Sequence, residues 1–280
     1  MKKQELQALL NLLDDKDAFV YNAVRKKLLQ SESDIISDLE IVVSTSENSL
    51  LTERAKDIIR QHRLQKSDED FKEWLKNDKR LLYGAFLIAK YQYPEIVYED
   101  VEDKLNKIVS ALRSEINFYL TGLQQIRKIN HVLYDVYRFT PDFSNIINPE
   151  TSFLNKVLDN KKSNDVLIAV VYIYISQKLG LPVYGVDFPR NFLLMFKDER
   201  SGEALFYINP LNKGAVVTKN DISRFLKNHK IKHKEQFFKP CSNKHIIKRL
   251  LKFLMNSYIQ KNDKTKTEEI KRILNLFDNA

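Results

Sequence analysis

The chain has 280 residues, of which 43% are hydrophobic and 30% charged, and it contains one cysteine. This composition is typical of a globular protein and excludes disorder over the whole length. A single cysteine excludes an internal disulfide and a multi-cysteine metal site, which agrees with a reducing compartment. The start of the chain does not resemble a secretory signal, and the longest apolar run, residues 166–175, is shorter than the roughly 20 residues of a membrane span. We therefore expect a cytoplasmic protein with no membrane partner.

Positive charge is concentrated near the C-terminus. Residues 201–280 contain 17 Lys and Arg against 7 Asp and Glu, a net charge of +10. Such a surface could bind nucleic acid, an acidic protein or anionic lipid, but no nucleic-acid-binding motif accompanies it. A solvated, lysine-rich helix face is the simpler interpretation. Weak, non-specific nucleic-acid binding remains an alternative, with a basic surface formed by Lys244, Lys248, Arg249 and Lys252.

The N-terminal part of the chain predicts helices. Residues 5–64 carry apolar positions at helical spacing, interrupted so as to give two helical hairpins. A shift of 31 residues places Asp17 on Asn48 and aligns the apolar positions that follow, which resembles a pair of HEAT-type repeats. Because at least three repeats are usually needed for a solenoid, we expect residues 1–66 to pack on the segment that follows.

A central segment is predicted over residues 67–239. Helical spacing runs from 69 to 135 with a break at Pro94, and a further helix is predicted over 116–137. Turn residues such as Thr140-Pro141-Asp142 then mark a change of architecture.

The second half of this segment predicts mixed structure. A short helix at 153–158 and a buried helix at 166–179 end at Gly180 and Pro182. Turn residues then separate three predicted strands at 183–188, 192–197 and 204–208. Helices followed by an antiparallel meander predict an α+β fold. The last segment, residues 240–280, predicts a basic helical hairpin.

A polar turn, a buried helix and then strands are the order in which thiol enzymes of the transglutaminase type present their catalytic groups. The nucleophilic cysteine lies at the helix N-terminus because free N–H groups and the helix dipole stabilise a thiolate there. A histidine on a strand accepts the proton, and an acid on the next strand orients the histidine.

Four segments of the sequence resemble the SirB-type, transglutaminase-like core family. They are INHVLYDVYRF, SFLNKVLDNKKSND, VLIAVVYIYISQKLGLPVYGVDFPRNFLLMF and FYINPLNKG. The C-terminal hairpin resembles that family's tetratricopeptide-like tail. The resemblance implies a mainly helical α+β fold, in which a papain-like core with a small antiparallel sheet is flanked by helical repeat-like segments.

The positions where the family resemblance implies a catalytic triad hold other residues. Asp165 stands at the nucleophile position, Asn191 at the base position and Asn209 at the acid position. A carboxylate at a helix start is a good capping residue but a poor match for thiol chemistry. An asparagine has no nitrogen that titrates near neutrality. We therefore expect no catalytic triad, and a shallow binding cleft formed by Asp165, Asn191, Asn209 and Pro210.

The function predicted from these replacements is that of a non-catalytic protein-interaction or regulatory module whose partner is another protein. The alternative is a hydrolase or transferase on peptide or isopeptide bonds that uses Asp165 as a base; it requires a desolvated carboxyl with a raised pKa. Cys241 and His245, four residues apart, could form a displaced Cys-His pair, but a lone cysteine is more often a small packed side chain. We found no motif for a cofactor or a metal.

Overall fold

The computed structural model describes residues 3–31, 35–117, 119–142, 148–198 and 200–278. The chain divides into two compact units, Met1–Glu69 and Asp70–Ala280. The first division lies close to the predicted one at residue 66. The predicted division at residue 240 has no counterpart, because the C-terminal hairpin belongs to the second unit.

The first unit contains four helices, α1 to α4. Their bounds are Lys3–Asn11, Ala18–Leu29, Ile36–Thr45 and Ser49–Glu73, and the division between the units falls inside α4. Asp17 caps α2 by accepting the N–H of Phe19, and Asn48 accepts the N–H of Leu50 at the start of α4. The 31-residue shift therefore aligns two capping residues. Leucine, isoleucine and valine side chains from all four helices form the core of this unit.

The second unit begins with the end of α4 and a π-helix over Trp74–Asp78, and helices α5 to α7 follow. Their bounds are Leu81–Gln92, Tyr98–Arg113 and Gly122–Asn130. As expected, the first of them ends just before Pro94. The helix predicted over 116–137 begins only at Gly122, because Thr121 and Gln124 form a capping box there, and it continues as a π-helix over His131–Val136.

The predicted mixed region consists of two helices and two sheets. Helix α8 spans Leu154–Asn160, and α9 spans Asp165–Lys178 and is buried along most of its length. Two-residue strands pair in parallel, β1 (Thr140–Pro141) with β2 (Lys162–Ser163). The larger sheet is antiparallel with strand order β3-β4-β5-β6, and its strands are Val183–Val186, Leu193–Lys197, Ala204–Asn209 and Ala215–Val217. The fold is mainly helical α+β, as predicted.

Three further helices complete the second unit. They are α10 (Lys219–Asn228), α11 (Asn243–Gln260) and α12 (Lys264–Asp278). Helix α10 covers one face of the sheet, with Ile222 and Leu226 in a cluster that includes Met195 and Tyr207. Helix α11 packs on α5, α9 and α12, so the C-terminal hairpin shares the core. No helix in the described ranges has both the length and the apolar character needed to cross a bilayer.

Candidate functional site

The start of α9 holds a buried carboxylate. Asp165 is the first residue of this helix, and only 7% of its surface is exposed. The helix cap is its neighbour Asn164, whose side chain accepts the N–H of Leu167 at 2.8 Å. The side chain of Asp165 instead accepts the N–H of Val166 on Oδ1 at 2.9 Å and the N–H of Phe192 on Oδ2 at 2.7 Å. Asp165 therefore ties the helix to the sheet rather than capping the helix.

Arg249 on α11 connects this carboxylate to a second one. Its Nη2 lies 3.6 Å from Oδ2 of Asp165, and its Nη1 donates to Oδ1 of Asp187 and to the carbonyl oxygen of Phe188. The other oxygen of Asp187 lies 2.5 Å from Nε2 of His245. Two carboxylates, one guanidinium and one imidazole thus form a continuous polar chain between α9, the end of β3 and α11.

The pKa values of Asp165 and Asp187 are shifted in opposite directions from the ordinary value of an aspartate. Burial raises the pKa of Asp165, and the charge of Arg249 with the N–H groups of Phe192 and Val166 offsets only part of that increase. Burial also acts on Asp187, but the hydrogen bond from His245 and the charge of Arg249 outweigh it and lower the pKa of Asp187. Of the two carboxyl groups, Asp187 is therefore the one whose ionised form the neighbouring groups favour.

A cavity of about 290 Å³ lies beside Asp165. Its lining residues come from the β1 end, the α9 start, the turns after β3 and β5, and α11: Asp142, Asn164, Asp165, Val166, Arg190, Leu211, Arg249, Lys252, Phe253 and Asn256. Within the described part of the chain, Arg190 and Lys252 have no ion pair and Asn256 has no side-chain hydrogen bond. These three side chains are free to contact a ligand.

Three of the four residues predicted to form the cleft do not line this cavity. Asn191 is not in the lining, although its neighbour in the sequence, Arg190, is. The side chain of Asn209 accepts the N–H of Leu211 at 3.1 Å and so caps a 3-10 turn. Pro210 is buried at the start of that turn. Of the predicted set, only Asp165 lines the cavity.

Cys241 and His245 also lie outside the cavity lining, although both are near Asp187. The backbone N–H of Cys241 donates to the carbonyl oxygen of Gly185 at 2.8 Å, in the segment just before α11. Burial, with the charge of Asp187, raises the pKa of the Cys241 thiol to about 12. At neutral pH the side chain is a thiol, which is a poor nucleophile. Among the described residues, no group of three His, Cys, Asp or Glu side chains could hold a metal ion.

The basic residues singled out in the sequence are only partly free. Lys248 donates to Asp278, and this hydrogen bond, with the charges of Lys252 and Lys244, lowers the pKa of Asp278. Arg249 is engaged with its own two carboxylates. Nucleic-acid binding by this surface stays a prediction.

Three residues of the site, Asp187, Arg190 and Asn256, are not among the residues predicted from the sequence. Arg249 was predicted as part of a basic surface, and in the structure it pairs with Asp187 and Asp165. One available signal was helical spacing, since residues 249, 252 and 256 are three and four apart and share one face of α11. No local pattern marks the pairing of Arg249 with Asp187.

Comparisons with known proteins agree with this architecture. The family described as the transglutaminase-like superfamily matches residues 99–252, more than half of the chain. A UPF0162 protein of Xylella fastidiosa is 24% identical over 188 residues, which are 65% of this chain and 66% of that protein. A UPF0162 protein of Vibrio cholerae is 26% identical over 196 residues, or 69% of this chain and 70% of the relative.

Protein SirB1 of Salmonella typhimurium is 25% identical over 187 residues, which cover 66% of this chain and 68% of SirB1. The matched segments thus span about two thirds of the length of these bacterial relatives. No solved structure gives a significant match.

Proposed function

Because the chain belongs to the transglutaminase-like superfamily as a SirB-type member, we propose that it is a non-catalytic member that acts as an interaction module for another protein. One observation carries the proposal. The residue at the nucleophile position, Asp165, has both carboxylate oxygens occupied, by the N–H groups of Val166 and Phe192 and by Arg249. This side chain joins α9 to β4 and α11, and its oxygens already have hydrogen-bond or ion-pair partners that a substrate would have to displace.

The chemistry of the surrounding groups supports the proposal. Thiol catalysis needs a nucleophile and a base within hydrogen-bond reach. Asn191 has no titratable nitrogen, and the side chain of Asn209 is used in its own turn. The one thiol, Cys241, stays protonated at neutral pH and lies outside the lining of the cavity. None of these groups can accept a proton from a nucleophile at that cavity.

The first unit also offers surface to a partner. Phe19 on α2 is 83% exposed and Ile41 on α3 is 59% exposed. The proposal assigns these two side chains to the surface that the partner covers, because the buried centre of an interface is more apolar than its rim. The proposed interaction module therefore includes the HEAT-like hairpins as well as the core, and we place it in the cytoplasm because its single cysteine suits a reducing compartment.

Turnover assays with the full chain test the non-catalytic part of the proposal. Peptide, isopeptide and amine-transfer substrates should show no turnover above buffer, for wild type and for Asp165→Ala alike. Turnover by the wild type would overturn the proposal, whether or not the variant folds. Affinity capture tests the interaction part: a defined protein should be retained by the wild type and by Lys227→Gln, an exposed lysine on α10, and lost from Phe19→Asp.

A hydrolase that uses Asp165 as its base is a second candidate. The buried position of Asp165 beside a cavity and its raised pKa favour it, since these are the properties of a carboxyl that serves as a base. The hydrogen bonds from the N–H groups of Val166 and Phe192 argue against this candidate, because they occupy both oxygens of Asp165. If this candidate is right, turnover will rise with pH through a single ionisation and Asp165→Ala will abolish it.

A further inference from the structure

The cavity beside Asp165 adjoins a second cavity on the C-terminal hairpin. The second has a volume of about 340 Å³ and lies between α11 and α12. Lys252 and Asn256 line both cavities, so the two are neighbours across one face of α11. Met255 and Leu274 give the second cavity an apolar wall. We refer to the two adjacent cavities together as the groove.

The free charge in this groove is positive. Arg249 and Lys248 are each matched by a carboxylate, from Asp187 and Asp278 respectively. Arg190 and Lys252 make no ion pair in the described part of the chain, and they line the first cavity together. The charge of Lys252 also acts on Asp278, which lines the second cavity with it. An anionic group that enters the first cavity meets two cations that are not in a salt bridge.

Arg190 lies in the turn between β3 and β4 and is exposed. It lines the first cavity, whereas its neighbour Asn191 does not. This turn therefore presents a guanidinium to a ligand in that cavity.

We propose that this groove, with Arg190 and Lys252 at one end and Met255 and Leu274 at the other, binds an acidic segment of the partner protein. The inference rests on the proposed interaction function and names the class of ligand. Aspartate or glutamate side chains of the segment pair with the two free cations, and Asn256 contacts its backbone. An apolar side chain of the segment fills the second cavity.

A polypeptide fits this groove better than a nucleic acid does. Asp142 and Asp165 line the first cavity and Asp278 lines the second, so evenly spaced phosphates would pass three carboxylates. A peptide can place neutral residues there. Single-stranded nucleic acids also depend on stacking with aromatic side chains, and no aromatic residue lines the second cavity.

Fluorescence anisotropy with the full chain tests the proposal. The probe is a labelled peptide of about ten residues in which glutamate and leucine alternate, long enough at ~3.3 Å per residue to span both cavities. It should bind with micromolar affinity, and a matched glutamine and leucine peptide should bind at least about tenfold more weakly. The variant Arg190→Gln with Lys252→Gln should lose about tenfold in affinity for the glutamate peptide. Lys227→Gln with Lys230→Gln removes two charges from exposed lysines at and just beyond the end of α10, and this control should not lose affinity.

Three outcomes would overturn the proposal. The glutamine peptide could bind as well as the glutamate peptide, the double variant could bind as well as wild type, or a single-stranded oligonucleotide of equal charge could bind more tightly through the same two residues. None of them bears on turnover, so the failure of this inference and the failure of the non-catalytic proposal are distinguishable. Circular dichroism of the double variant confirms that it is folded.

Discussion

Oδ2 of Asp165 accepts the backbone N–H of Phe192 at 2.7 Å, and this hydrogen bond joins the first turn of α9 to the start of β4. A nucleophilic cysteine at a helix start has to stay accessible to substrate. Asp165 is instead buried and bonded to the backbone at the start of β4 and in its own helix. These contacts are the ones that the proposed non-catalytic function requires of this position.

Replacing Asp165 by asparagine should destabilise the fold. The amide can accept only one of the two N–H groups that Asp165 now satisfies, so a buried donor loses its partner at a cost of about 1–3 kcal/mol in the free energy of unfolding. Urea unfolding measures this. Asp159→Asn is the matched control, because that carboxylate is half exposed and forms a surface ion pair with Lys104, and its effect should stay within about 0.5 kcal/mol. Equal effects of the two substitutions would contradict the role given to Asp165.

The pH dependence of stability should reveal Asp187. Its pKa is lowered in the folded state, so its contribution to stability is fully present above its ordinary value of about 4 and is lost as pH falls through the lower, folded value. The difference in unfolding free energy between wild type and Asp187→Asn should therefore shrink as pH falls below about 4. Asp165 shifts in the opposite sense, but it is present in both proteins and largely cancels. A difference that grows as pH falls below about 4 would show that the sign is wrong.

Much of this core could be predicted from the sequence, for local reasons. The apolar run of α9, closed by Gly180 and Pro182, and the turn residues between β3, β4 and β5 are short-range signals, and these elements appear close to their predicted bounds. Strand β6 was missed because it has only three residues and none of them is buried.

The site was less predictable because its contacts are long-range. Arg249 and Asp187 are separated by 62 positions in the sequence, and nothing in the composition near either residue marks the other. The same holds for the hydrogen bond from Phe192 to Asp165, which depends on how the sheet docks on α9. In the turn between β3 and β4 the cavity is lined by Arg190 and not by its neighbour Asn191, and a cleft formed by Asp165, Asn191, Asn209 and Pro210 stays a prediction.

Alkylation of Cys241 should be slow in the folded protein. With its pKa raised to about 12, the thiolate fraction at neutral pH is roughly three orders of magnitude below that of a free cysteine with a pKa near 8.5. Iodoacetamide labelling followed by mass spectrometry should show this reduction, and labelling in urea should restore the ordinary rate. His245→Ala should leave the rate unchanged. A fast reaction that depends on His245 would instead indicate a working Cys-His pair.

The C-terminal hairpin is held to α5 by a buried polar cluster. Glu269 on α12 is 5% exposed, accepts the hydroxyl of Tyr91, and lies 3.2 Å from the ammonium of Lys266. Glu269→Ala should lower the free energy of unfolding by about 1.5–3 kcal/mol, because it leaves both donors without this acceptor. The neighbouring Glu268, 70% exposed and paired with Lys271, is the control, and Glu268→Ala should change stability by less than about 0.5 kcal/mol. If Glu269→Ala and Glu268→Ala had the same denaturation midpoint, the result would argue against a core that α12 shares with α5.

The turn after β5 depends on a glycine. Gly214 has φ of 70°, and a Cβ added to it would lie 1.9 Å from Oδ1 of Asn130. Asn130 cannot simply move away, because its Nδ2 donates to the carbonyl oxygen of Gly214 at 2.9 Å and its Oδ1 accepts the hydroxyl of Tyr172 at 2.8 Å. A side chain at position 214 must therefore break one of these contacts or displace the turn.

Gly214→Ala should destabilise the protein more than Gly180→Ala does. Gly180 has φ of 75°, but a Cβ added there would meet no atom within 4 Å, so alanine adds only the strain of the left-handed backbone, about 1–2 kcal/mol. Gly214→Ala adds the collision with Asn130, about 1–3 kcal/mol more, measurable by thermal or urea unfolding. It should also weaken binding of the acidic peptide, because the displaced turn carries Leu211, which lines the first cavity. Gly180→Ala should leave the affinity for the acidic peptide unchanged. An equal loss of stability in the two variants would mean that Asn130 can move away from a Cβ at position 214 at no cost in free energy.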